Sequence, residues 1–257
     1  MTASLLTRYG HTVPAEAQRW FDVADEVAAI LGADALERDA ANKPPFTELE
    51  ILRRSGLLPL TIPARYGGAG INWSTAFEIV QRVARADNSI GQLLGYHYIF
   101  QAFPYIDLDP ERGQDLAEQC LVRQWLWSST GTPQGPQATA VRTEGGYLVT
   151  GRKPFATGSR VAEKIYARAV LDGSDRLALI IDTASDGVVR HDDWDVLGSR
   201  LTATNTIEFR NVFVPDAEVI TNLGTHDGER RPHQVLTTPA FQLLFAHVYL
   251  AAAEGAV

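Results

Sequence analysis

The order of secondary-structure signals predicts an α+β chain, with helices first, a run of short strands in the middle and a helix at the end. Three observations carry this expectation. Apolar residues recur at helical spacing through residues 14–123. From Trp125 onward the pattern changes to short extended runs broken by Gly, Asp and Ser. The closing stretch FQLLFAHVYLAAAEGAV is apolar and helix-forming again. Strands and helices do not alternate, which excludes βαβ units and a Rossmann domain.

In the first region, Pro14 opens a segment in which Trp20, Val23, Ala24, Val27, Ile30 and Leu31 share helical spacing. Thr47-x-x-Glu50 reads as a capping box, with Gly56 closing that helix. LPLTIPARYGGAGINW is rich in Pro and Gly and reads as an irregular connector. Thr75-x-x-Glu78 and Ser89-x-x-Gln92 propose two more helix starts, and Asp109-Pro110 a third.

In the middle region, Glu144-Gly145-Gly146 marks a hairpin, IYARAVL and LALIID flank DGSDR, and GVVRHDD and TNTIEFRNVFV add two strands. Such spacing suits a small β-barrel or sandwich. Residues 221–239 read as a polar loop before the final helix. The expected organisation is therefore a helical domain over 1–123, a β-barrel domain over 124–220, and a linker with the first helix of an incomplete helical domain over 221–257. The last helix has no stop signal before Val257, so the natural chain is expected to continue.

Composition narrows the function classes. The 257 residues carry a formal net charge of −8 and no basic block, which argues against nucleic acid or an anionic membrane as partner. Cys120 is the single cysteine, which excludes an internal disulfide and a C-x-x-C pair and suits a reducing cytoplasm. No uninterrupted apolar run of membrane-spanning length is read from the sequence, and no secretory signal. Gly67-Gly68-Ala69-Gly70 lacks the spacing of a phosphate loop and reads as a turn. His191-Asp192-Asp193 lacks partners at metal-ligand spacing, so no metal site is expected.

Five motifs in sequence resemble the acyl-CoA dehydrogenase superfamily: GLLPLTIPARYGGAG, VARADNSIGQLLGYHY, WLWSSTGTP, GYLVTGRKPFATGS and WDVLGSRLTATNTIEFRNVFVP. The resemblance covers nearly the whole chain. The acids that acyl-CoA oxidisers carry after the third motif are missing from Gly131-Thr132-Pro133-Gln134-Gly135-Pro136. GYHY and HDDWD-x-x-GSR-LT are similar instead to dibenzothiophene and sulfone monooxygenases. That branch implies FMN supplied in reduced form by a separate flavin reductase, a flavin hydroperoxide formed with dioxygen, a small apolar, organosulfur or aromatic substrate, and a homotetramer.

The resemblance also implies site roles. Thr157 stands where a hydroxyl meets the flavin N5 and holds the peroxide, and His97 would handle a substrate proton. Trp127, Ser129, Thr130 and Thr132 would form the flavin wall, although the branch often has Asn where Thr132 stands. Phe155 replaces a stacking tryptophan of many relatives. By their own chemistry Trp194 and Arg200 suit the substrate mouth or a phosphate, with a surface ion pair the equal alternative for Arg200. Two other readings stand beside this one: an FAD-dependent acyl-CoA dehydrogenase, and a non-catalytic protein of the same fold.

Overall fold

The computed structural model describes residues 15–131, 135–171, 176–222 and 232–257. Seven helices come first: α1 (Ala15–Gly32), α2 (Ala35–Ala41), α3 (Phe46–Ser55), α4 (Trp73–Ala86), α5 (Asn88–Ala102), the single turn α6 (Pro104–Asp107) and α7 (Pro110–Arg123). Along α1, Ala17, Phe21, Ala24, Val27 and Leu31 make one buried stripe. Ile30, expected on that stripe, is 56% exposed because it lies about 100° round the helix from Leu31.

Helix caps differ from the expected ones. α3 begins at Phe46 with no side-chain cap, and Glu50 instead bonds Arg54 one turn on. Asn72 caps α4 by accepting from the Thr75 amide at 2.9 Å, and Asp87 caps α5 by accepting from Ile90 at 3.1 Å. The short side chain one residue before each helix does the capping, so the Ser/Thr-x-x-Glu/Gln spacings misplace these starts. Asp109 caps α7 as expected, and Gly56 closes α3 with φ +75°. α4 and α5 approach so closely that a Cβ on Gly91 would lie 2.5 Å from the Ala84 Cα. Only glycine fits that crossing.

Eight strands follow: β1 (Trp127–Ser129), β2 (Ala138–Thr143), β3 (Gly146–Ala156), β4 (Lys164–Val170), β5 (Arg176–Asp182), β6 (Val188–Arg190), β7 (Asn205–Pro215) and β8 (Val219–Asn222). They form one mixed sheet in the order β6-β7-β3-β2-β4-β5-β8, with β1 parallel to β4. The expected barrel is, among the described strands, an open ladder with β6 and β8 at its ends. It curves enough that β5 and β7, which are not ladder neighbours, share one core of Leu179, Ile181, Ile207 and Phe209. β8 was not expected from the sequence.

β4 is buried on both faces, and the period of two sorts its side chains. Ile165, Ala167 and Ala169 enter the sheet's own core, whereas Tyr166 joins the helical core. Arg168, two residues on, shares the Tyr166 face.

The last helix, α8 (Pro232–Gly255), begins inside the stretch expected to be loop and contains Pro239. Its segment Val235–Gly255 is long and apolar enough to cross a membrane by length and composition, with mean hydropathy 1.4, which corrects the sequence reading on that point. In this structure it packs on the bundle, burying Leu244, Val248 and Ala251, and Glu254 pairs with Arg85 at 3.0 Å.

Candidate active site

A cavity of about 750 Å³ lies between α5, the sheet and α8, within the range of small-ligand pockets. α5 supplies Tyr96 and Phe100, four residues apart and therefore on one helix face. α8 answers with Phe241, Phe245 and Tyr249 at the same spacing. The Tyr96 ring meets Phe241 edge-on at 5.1 Å and Phe245 at 6.1 Å. The sheet contributes Ser129, Phe155 and Arg168.

Phe155 is the strained member. It has φ +60°, sits at a register shift between β3 and β7, and is 53% exposed with its ring edge-on to Trp194. A bulky residue held in the left-handed region costs on the order of 1–3 kcal/mol, and such strain concentrates at ligand sites. The bulge re-aims this ring out of the strand's regular alternation.

Thr157 follows on the same strand end and is buried. Its hydroxyl lies 3.1 Å from Thr204 Oγ1, and its nearness to Tyr96 holds the phenol's pKa down against the larger effect of burial. Thr204 Oγ1 lies 2.8 Å from Thr202 Oγ1, which donates to the Ser199 carbonyl. A carbonyl only accepts, and each hydroxyl has one proton. The polarity of the row is therefore fixed: Thr157 donates to Thr204, Thr204 to Thr202, and Thr202 to Ser199. Tyr96 lines the cavity, and Thr157 stands behind it. Burial raises the Tyr96 pKa, so its phenol stays protonated at neutral pH.

His97 is placed differently from its expected role. It is fully buried, one residue round α5 from the cavity face. The Trp127 amide donates to its Nδ1 at 3.1 Å, and Nε2 lies 2.7 Å from the Leu58 carbonyl. Nδ1 is thus the acceptor, and Nε2–H donates to Leu58. Burial, with the Arg53 charge adding to it, lowers the pKa to about 4 despite the opposing bond to Leu58. Both ring nitrogens are committed to backbone, leaving none to take a substrate proton. His97 instead ties the connector and β1 to the bundle.

The remaining expected residues divide. Ser129 and Phe155 line the cavity, and Thr157 backs it through Tyr96. Trp127 is buried in the helical core and does not line the cavity. Thr130 is buried, its hydroxyl accepting from the Arg168 amide at 3.4 Å. Thr132 lies outside the described residues. Trp194 donates to the Ser199 carbonyl and reaches the site only through Phe155. Arg200 is paired with Asp39 on α2 at 2.5 Å, so it braces helix against sheet and does not stand free for a phosphate. His191 bonds Glu208 at 2.9 Å. The sequence reading passed over Tyr96, although it lies inside GYHY. The signal was available in the four-residue aromatic spacing of Tyr96 with Phe100, and of Phe241, Phe245 and Tyr249.

Comparison with known proteins accords with this architecture. Residues 15–107 match the acyl-CoA dehydrogenase N-terminal domain. Residues 15–107 thus carry an acyl-CoA dehydrogenase N-terminal domain, and the chain is similar to dibenzothiophene monooxygenase-like proteins of that fold. It is 35% identical over 257 aligned residues to dibenzothiophene monooxygenase of Rhodococcus qingshengii, covering 91% of this chain and 60% of that protein. Among solved structures, it superposes with TM-score 0.85 on methanesulfinate monooxygenase MsuC of Pseudomonas fluorescens, at 31% identity over 92% of this chain and 61% of that one. FMN-bound TdsC of Paenibacillus sp. A11-2 gives TM-score 0.83 at 32% identity, covering 93% and 63%. The chain thus spans about three-fifths of the length of these relatives.

Proposed function

We propose that this protein is a flavin-dependent monooxygenase that takes FMN in reduced form from a separate reductase and oxygenates a small, largely apolar substrate. The observation that carries the reading is the joining, in one cavity, of the strained Phe155 ring, the Tyr96–Thr157 hydroxyl pair and the aromatic stripe of α8. Kinship with an FMN-bound dibenzothiophene monooxygenase-like structure supports FMN over FAD.

The residues fit a flavin. Phe155 offers an aromatic face, Ser129 and Tyr96 offer polar atoms, and most of the remaining wall is apolar. Bound reduced FMN supplies the oxygen-activating chemistry. Tyr96, protonated at neutral pH, presents its phenol to the cavity, with the Thr157 hydroxyl behind it at the head of the threonine row. The aromatic stripe excludes water and holds the apolar body of the substrate. By this reading Thr157 is a cofactor-contacting residue, as expected from the sequence, and Tyr96 takes the ligand-facing place on α5 that His97 does not occupy. The protein works in the cytoplasm as a homotetramer.

Spectra of the flavin-loaded full-length protein test this reading. FMN is expected to bind more tightly than FAD, with no loss of colour on adding an acyl-CoA thioester. Rapid anaerobic bleaching by acyl-CoA would make the protein a dehydrogenase. A protein that stays colourless at saturating flavin would be a non-catalytic member of the fold.

A further inference from the structure

Arg168 is the one cation lining the aromatic cavity among the described residues, and it is not neutralised there. Its position follows from β4: alternation puts Arg168 on the Tyr166 face, toward the helices and α8. Its amide is held by Thr130 at 3.4 Å, which fixes the strand at that point. The guanidinium carbon sits 6.0 Å from the Tyr166 ring centroid, and the guanidinium charge acts to lower the Tyr166 pKa against burial. Its Nε is buried and has no hydrogen-bond partner. No carboxylate among the described residues forms an ion pair with it, although Arg38, Arg53, Arg82, Arg85, Arg142 and Arg200 each have one. Gly131 passes beside it, where a Cβ would come 3.9 Å from Nε.

A half-buried cation against aromatic rings costs solvation, and that cost is offset when a ligand brings the opposite charge. A planar guanidinium with an unsatisfied edge is shaped for the paired oxygens of a carboxylate, sulfinate, sulfonate or phosphate. We propose that Arg168 is an oxyanion-recognition residue, and that the cavity takes a ligand whose apolar body lies on the α5 and α8 aromatics while its anionic group pairs with Arg168. This deepens the flavin reading and rests on it for the use of the cavity. The oxyanion has two possible sources, the phosphate of FMN or an acidic group on the substrate, and experiment separates them.

The test is calorimetric titration of the full-length protein, wild type against Arg168→Gln and Arg168→Lys, with two anion–neutral pairs. One pair is FMN and riboflavin, and the other is benzenesulfinate and methyl phenyl sulfone. Loss of the guanidinium is expected to weaken the anionic member of at least one pair about tenfold or more and leave its neutral partner unchanged. A selective loss for FMN assigns Arg168 to the flavin phosphate, and a selective loss for benzenesulfinate assigns it to the substrate. Arg168→Lys keeps the charge and is expected to retain part of the affinity, with a wild-type melting temperature to show an intact fold. Equal weakening within both pairs, or no change in any of the four, overturns the proposal. Failure of the wild type to bind either flavin would sink the flavin reading, and the sulfinate–sulfone pair would then decide Arg168 by itself.

Discussion

At the scale of the residue, the account turns on which groups have a free valence facing the cavity. Tyr96 lines it with a protonated phenol, and Thr157 stands behind with its own proton committed to Thr204, because the Ser199 carbonyl fixes the direction of the threonine row. Tyr96→Phe and Thr157→Val are therefore expected to lower turnover about ten- to a hundredfold and change FMN affinity by less than about threefold, measured by steady-state kinetics and flavin fluorescence. A variant that keeps full turnover would remove that residue from the site. His97 has no free valence. Its pKa of about 4 lies below the usual histidine value near 6.5, so the unfolded chain binds the additional proton between those values. Its stabilisation is complete above about pH 6.5 and is lost as pH falls toward 4, on the order of 3 kcal/mol across that window. Denaturant unfolding of wild type against His97→Gln across that window checks this, and parallel pH curves would refute it. The sequence pointed to the GYHY segment as a site but not to the correct ring. Adjacent residues on a helix point about 100° apart, and only the packing of Leu58 and Trp127 decides which face is covered.

At the scale of the element, two joints set the shape of the cavity. Gly91 lets α5 settle on α4, and the shift that Gly91→Ala would force on backbone is expected to destabilise by about 2 kcal/mol or more, read as a lowered melting temperature. Arg200 and Asp39 brace the sheet against α2. A double-mutant cycle on that partly exposed pair should give a coupling of about 1 kcal/mol, with FMN affinity unchanged. Loss of FMN binding in Arg200→Ala would return that arginine to the site. The elements themselves were largely legible, because helical and strand periods are local properties of sequence. Their starts were less so: Asn72 and Asp87 lie one residue before helices that Thr75 and Ser89 seemed to open. β8 escaped because its partner β5, distant in the sequence, decides it.

At the scale of the whole molecule, a bundle, a curved sheet and an apolar helix meet round one aromatic cavity. The order of helices, strands and helix was readable from the sequence, and with it the resemblance to the acyl-CoA dehydrogenase fold. The cavity was not readable, because its walls come from residues 96, 129, 155, 168 and 241, which only the fold brings together. The most direct measurement is turnover of an aromatic sulfide by the full-length protein with reduced FMN under isotopically labelled dioxygen, with the product analysed by mass. The account predicts one labelled oxygen atom in each product molecule. Product without label, or label found only in water and peroxide, would contradict it.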